Sequence, residues 1–163
     1  ERDHALARGA PILAEVLGFG GTSDGVNMAS PATEAMQGAI RLALVDAGCA
    51  PEDVDYYNAH ATGTLIGDAT EAHAVYEVFG DLVPVSSYKG HLGHTLAACG
   101  AIEAIAGVVS MQRGLVVHTR NLVEADVAPI WLPTQPLERP VGLMVSANFA
   151  FGGVNTAVVL GRP

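Results

Sequence analysis

Aromatic residues are scarce, at 6% of 163 residues, with Trp131 the single tryptophan. A core must therefore come from Ala, Val, Leu and Ile, which a half-apolar chain supplies. One core of ordinary domain size fits this length. Basic residues are also few: 8 Lys and Arg stand against 17 Asp and Glu, for a formal charge of −9. That balance excludes a nucleic-acid footprint and argues against an anionic membrane surface, since both call for positive charge. Cysteine is nearly missing. Cys49 and Cys99 make no C-x-x-C and no disulfide framework, which predicts a reducing, cytoplasmic setting. No apolar run is long enough to span a bilayer; the longest, around Ala97–Met111, is broken by Glu103. Gly18, Gly20 and Gly21 miss the G-x-G-x-x-G spacing, so no phosphate loop is expected. No signal peptide and no internal repeat is visible.

Alternating strand and helix signals fill the rest. Glu1–Arg8 reads as a helix tail and Ala10–Leu17 as a lone strand, an opening that predicts a chain cut from something longer. Phe19–Ser30 reads as a Gly-rich loop. Ser30 and Pro31 predict an N-cap and first helical position, followed by a stripe of Met36, Ile40, Ala43, Leu44 and Ala47 that Gly48 stops. Asp55–His60 reads as a strand. Gly67-Asp68 predicts the next helix start, with Asp68 as N-cap and Glu71 as its capping-box partner. Leu82–Ser86 is a strand, His94–Gln112 a long helix, and Asn121–Pro140 irregular. Gly142–Asn148 and Asn155–Leu160 are strands joined by Phe149–Val154. This order predicts an α/β layered domain with mostly parallel pairing. Sites in such folds gather at the carboxyl ends of strands, where His60, Lys89 and Phe149–Phe151 fall.

Each polar candidate has a structural alternative. His60, in HATGT, is either a strand-end histidine satisfied by backbone or part of a site. Lys89 and His94 are either a solvated lysine and a helix cap or a working pair. Glu103, in an apolar helix, either reaches solvent or needs a cation, and Lys89 is the natural partner by charge. His91 and His94 lack the further ligands a metal needs, so no metal is expected. Cys99 falls mid-helix, where a thiol is inert, and Cys49 follows a helix stop; both read as structural. The small residues Ala97, Ala98, Gly100, Ala101, Ala104 and Gly107 make the long helix slim. They predict that another polypeptide, or a missing part of this one, covers it.

Taken together, DYYNAHATGT-x-x-GD-x-x-E, VSSYKGHLGHT-x-x-x-CGAIEA and NFAFGGVNTAVVL resemble the C-terminal half of an elongating β-ketoacyl-(acyl carrier protein) synthase. The resemblance implies the C-terminal half of a thiolase-like fold, a mixed five-stranded sheet flanked by helices, plus the last strand of the preceding half. It divides the chain into residues 1–24, the end of the N-terminal ketosynthase half, and residues 25–163, the C-terminal half. It implies decarboxylative Claisen condensation of a malonyl-carrier protein with an acyl thioester, in fatty acid or polyketide synthesis. His60 and His94 correspond to the two active-site histidines, and Lys89 and Glu103 to the charged pair that orients them. Phe151 corresponds to the gating aromatic at the acyl oxyanion hole, and Phe149 to its neighbour.

No metal or organic cofactor is implied. Partners implied are a companion half bearing the Cys nucleophile, an acyl carrier protein and a second synthase in a dimer. Because carrier proteins are acidic like this chain, their docking surface is expected on the companion half or in a local patch. Ala61 and Ala150 stand where the family usually has Gly, and Asn148 stands one place later than the family's Asn. A chain-length-factor-like partner subunit is the alternative, though such subunits typically lose the histidines retained here. A thiolase or initiating synthase is a third reading, disfavoured by the Lys89-to-His94 spacing and the FAFGG turn.

Overall fold

The computed structural model describes residues 1–25 and 32–163. The helix start expected at Ser30-Pro31 lies outside them. Helix α1 (Arg2–Ala7) leads to β1 (Glu15–Ser23), α2 (Thr33–Ala47), β2 (Tyr56–Asn58), α3 (Leu65–Phe79), β3 (Val85–Ser86) and a single-turn α4 (Lys89–Leu92). Then come α5 (Cys99–Arg113), β4 (Leu115–Val116), β5 (Leu137–Glu138), β6 (Leu143–Ala150) and β7 (Val154–Gly161). Five strands form one sheet in the order β1-β7-β6-β2-β3, while β4 and β5 pair separately. Pairing is mixed: β2 runs parallel to both β3 and β6, whereas β7 is antiparallel to β6 and β1. The carboxyl ends of β2, β3 and β6 therefore share one edge.

The side-chain alternation of strands splits the core between the two sheet faces. Tyr57 and Val145 point to one face, with Met36, Ile40 and Leu44 of α2 and Val75 and Phe79 of α3. Tyr56 and Met144 point to the other, with Met111 of α5, Val116 and Leu160. On α5, Gly107 lets the helix sit against Met144, since a Cβ there would meet the Met144 side chain at 2.5 and 2.6 Å. The outer face of α5 stays open, with Ile105 and Val109 exposed. Among the described residues no helix is long and apolar enough to cross a membrane.

Several elements differ from the sequence reading. Residues 26–30 of the expected Gly-rich loop lie outside the described residues, and its first part, 19–23, is instead the second half of β1, which runs on to Ser23. Its glycines are there for contact rather than for turning: a Cβ on Gly18 or Gly20 would collide with the backbone of α2 at Ala39, Ala43 and Ala47. Helix α3 starts at Leu65, not at Gly67, and Asp68 reaches back to accept the N–H groups of Gly63 and Thr64. The long helix expected over His94–Gln112 is interrupted. Gly93 takes φ +74°, Leu96 takes φ +54°, and regular helix resumes only at Cys99 after a 3-10 turn at Leu96–Ala98. A left-handed residue cannot continue a right-handed helix. The two last strands and their Gly152-Gly153 turn fall close to where expected.

Close backbone approach at β1 yields a stability prediction. Gly20→Ala is expected to cost about 1–3 kcal/mol, the range for overpacking a tight contact. Gly21→Ala should be nearly neutral, because its Cβ would meet the exposed Phe19 ring at 3.3 Å and the Asn155 carbonyl oxygen only at 3.8 Å. Denaturant midpoints check this; equal losses at the two positions would contradict it.

Candidate active site

Helix α5 carries Glu103 on its sheet-facing side, and burial there demands a partner. Lys89, the first residue of α4, supplies it: Nζ lies 2.5 Å from Glu103 Oε1. Both side chains are almost fully enclosed, at 5% and 3% exposure. The other carboxylate oxygen accepts from Asn58 Nδ2 at 3.4 Å and Asn148 Nδ2 at 3.3 Å. Asn58 also donates to Ser146 Oγ at 2.9 Å, while its own Oδ1 has no hydrogen-bond partner among the described residues. This polar floor joins β2, β6, α4 and α5.

Above it stand the two histidines. His60 follows β2 by two residues, and His94 follows the Gly93 break. Their ring centroids are 5.4 Å apart and nearly perpendicular. Phe149, at the end of β6, packs edge-on against His60 at 6.1 Å. Phe151, by contrast, sits at the tip of the β6–β7 turn, 83% exposed. It makes no ring contact with the imidazoles among the described residues. The structure thus brings together His60, His94, Lys89, Glu103 and Phe149, and leaves Phe151 apart.

His60 is held neutral. Burial pushes its pKa down to about 4, the positive charge of Lys89 pushes the same way, and a hydrogen bond with Asn148 opposes them. Its Nδ1 is buried without a partner among the described residues. His94 Nδ1 accepts the Leu96 N–H at 3.1 Å, which fixes the imidazole against the broken turn.

Glu71 departs from its expected capping role. It is buried, and its carboxylate accepts the N–H of His60 at 2.8 Å, the N–H of Ala61 at 2.7 Å and the hydroxyl of Tyr57 at 3.2 Å. Burial pushes its pKa up to about 7, and the two backbone bonds resist that rise. The signal was in the sequence: Glu71 is four residues before Val75 and eight before Phe79, on the buried face of the same helix.

Cys99 is not mid-helix but the first residue of α5, and its Sγ donates to Asn148 Oδ1 at 2.9 Å. Cys49 fits the structural reading, its Sγ directed at the Leu44 carbonyl and its pKa raised chiefly by burial. Among the described residues no three His, Cys, Asp or Glu side chains gather as a metal ion would need. The pair His91 and His118 makes a separate edge-on contact at 5.6 Å.

Two positioned imidazoles over a buried ion pair, at the carboxyl ends of parallel strands, can donate hydrogen bonds to one developing oxyanion. Comparison with known proteins shows the family. Residues 13–123 match the family described as "Beta-ketoacyl synthase, C-terminal domain". The 3-oxoacyl-[acyl-carrier-protein] synthase 1 of Escherichia coli K12 is 39% identical over 163 aligned positions, covering 98% of this chain and 39% of that protein. The crystal structure of a β-ketoacyl synthase from Burkholderia phymatum superposes with a TM-score of 0.96 at 42% identity, over 99% of this chain and 40% of that one. The ishigamide ketosynthase/chain length factor superposes at 0.94 with 37% identity, over 99% and 41%. The chain thus spans about two fifths of the length of these relatives. Its α/β fold, built on a mixed sheet, is the matching part of the thiolase-like ketosynthase fold. From the matching profile, the relatives and the shared architecture, the chain belongs to the β-ketoacyl synthase C-terminal domain family.

Proposed function

We propose that this chain supplies the two imidazoles of a decarboxylative Claisen condensation, in an assembly whose thiol nucleophile lies on a companion N-terminal ketosynthase half. The observation that carries the reading is the 5.4 Å pairing of His60 with His94 above the enclosed Lys89–Glu103 pair. In the proposed cycle the companion thiol first attacks an acyl thioester: its proton passes to the departing donor thiol as the donor's acyl C–S bond breaks, and a new thioester forms. The malonyl thioester carbonyl then accepts hydrogen bonds from His60 and His94. Its C–C bond to the terminal carboxylate breaks, CO₂ leaves, and the electron pair passes into an enolate whose oxygen the imidazoles hold. The enolate carbon attacks the acyl thioester, the tetrahedral adduct collapses, and the thiolate departs. A neutral His60 suits this role, since it can donate one N–H without adding a second positive charge beside Lys89. Two preorganised donors can contribute roughly 3–4 kcal/mol each, by analogy with other oxyanion holes.

In this reading Phe151 gates the acyl site once the companion half is present, and Phe149 supports His60. The division near residue 24, the carrier-protein partner, the synthase dimer and a cytoplasmic setting belong to the same proposal. A chain-length-factor-like subunit is the second reading, favoured by the likeness to the ketosynthase/chain length factor structure. Retention of both histidines favours the catalytic one.

Three outcomes are expected. His94→Ala in the complete assembly should lower malonyl decarboxylation about 10²–10³-fold, the loss seen when one oxyanion donor is removed; CO₂ release at the normal rate would refute the role. The chain alone, lacking the thiol half, should yield no 3-ketoacyl product, and product from the purified chain would contradict this. The His60 imidazole should titrate with a midpoint near 4 rather than 6.5 by NMR. It should therefore be neutral at pH 7 and gain its proton only well into the acid range. A midpoint near 6.5 would show that the enclosure derived for it does not exist.

A further inference from the structure

We propose that Ser87 is a positioning residue that fixes the His60 turn relative to the Lys89 turn, a role that rests on the ketosynthase reading above. Strands β2 and β3 are parallel neighbours, and their ladder makes its last backbone bond from Ala59 N–H to the Ser86 carbonyl at 2.8 Å. Beyond that bond the two backbones turn apart, one toward His60 and the other toward Lys89. The buried Ser87 side chain takes over where the ladder stops. Its hydroxyl donates to the Ala61 carbonyl at 3.1 Å and accepts the Lys89 N–H at 3.3 Å. Its own N–H donates to Thr119 Oγ1 at 3.0 Å, anchoring the link to a third segment.

The same turn is gripped from its other side by Glu71, which accepts the His60 and Ala61 N–H groups. Residues 60 and 61 are therefore held through both N–H groups and through the Ala61 carbonyl, in a stretch that belongs to no strand or helix. Glu71 restrains the turn but touches only its own side. Among the described residues, Ser87 is the side chain that bonds to the backbone of both active-site turns. Removing its hydroxyl leaves the Ala61 carbonyl and the Lys89 N–H without this link, and frees His60 to drift from His94.

Displacement of a reacting group by about 1 Å can cost 10²-fold, so the effect should fall on the step the imidazoles serve. In the complete synthase, Ser87→Ala is expected to slow malonyl decarboxylation about ten- to a hundredfold, while acylation of the thiol keeps its wild-type rate. Ser87→Thr, which retains the hydroxyl, should decarboxylate faster than Ser87→Ala. Equal loss of both half-reactions, loss of neither, or a threonine variant as slow as the alanine one would overturn the assignment. His94→Ala run in parallel separates the two claims. If it releases CO₂ normally, the ketosynthase reading itself fails. If it is inert while Ser87→Ala is normal, only the role of Ser87 fails.

Discussion

The contact between Lys89 and Glu103 is the constraint on which the site depends. Neither charge can be left alone at 5% and 3% exposure. A buried pair adds little net stability over an apolar substitute, but breaking one costs about 3–5 kcal/mol. Helix α5 and the turn after β3 are therefore locked in one relative position. Asn58 and Asn148 extend the lock to β2 and β6 by donating to the free oxygen of Glu103. Both histidines are reached from these anchored ends within a few residues, so their 5.4 Å separation follows from the polar floor beneath them.

Packing makes that floor possible. The sheet is approached closely on both faces, by α2 over Gly18 and Gly20 of β1 and by α5 with Gly107 over Met144. Slim residues bring α5 near enough for Glu103 to reach the ends of the strands. They also leave the helix with an apolar outer stripe, including Ile105 and Val109, in water. A companion half seated there would supply both the missing cover and the missing thiol of the proposed cycle.

Much of this was legible in the sequence because it rests on local chemistry. An isolated carboxylate in an apolar helix calls for a cation, and Lys89 was the candidate. Strand-end placement alone puts His60, Lys89 and Phe149 on one edge. What could not be read came from tertiary contact. The glycines of β1 look like loop punctuation until α2 is laid against them. Glu71 looks like a cap because Asp68 precedes it by three, yet its burial comes from the face it shares with Val75 and Phe79. The break before Cys99 depends on a positive φ at Leu96, which no propensity for leucine would suggest. Ser87 lies within the VSSYKGHLGHT motif, but nothing in that pattern marks it as a link; its meaning lies in where two adjacent strands part.

The most direct test of the central claim is a crystal structure of the complete synthase holding a malonyl thioester analogue that cannot lose CO₂. The account predicts the thioester carbonyl oxygen at about 2.7–3.1 Å from a ring nitrogen of both His60 and His94, the range for oxyanion donors. An analogue bound with that oxygen turned away from either imidazole, or histidines drawn apart when the companion half is in place, would contradict it.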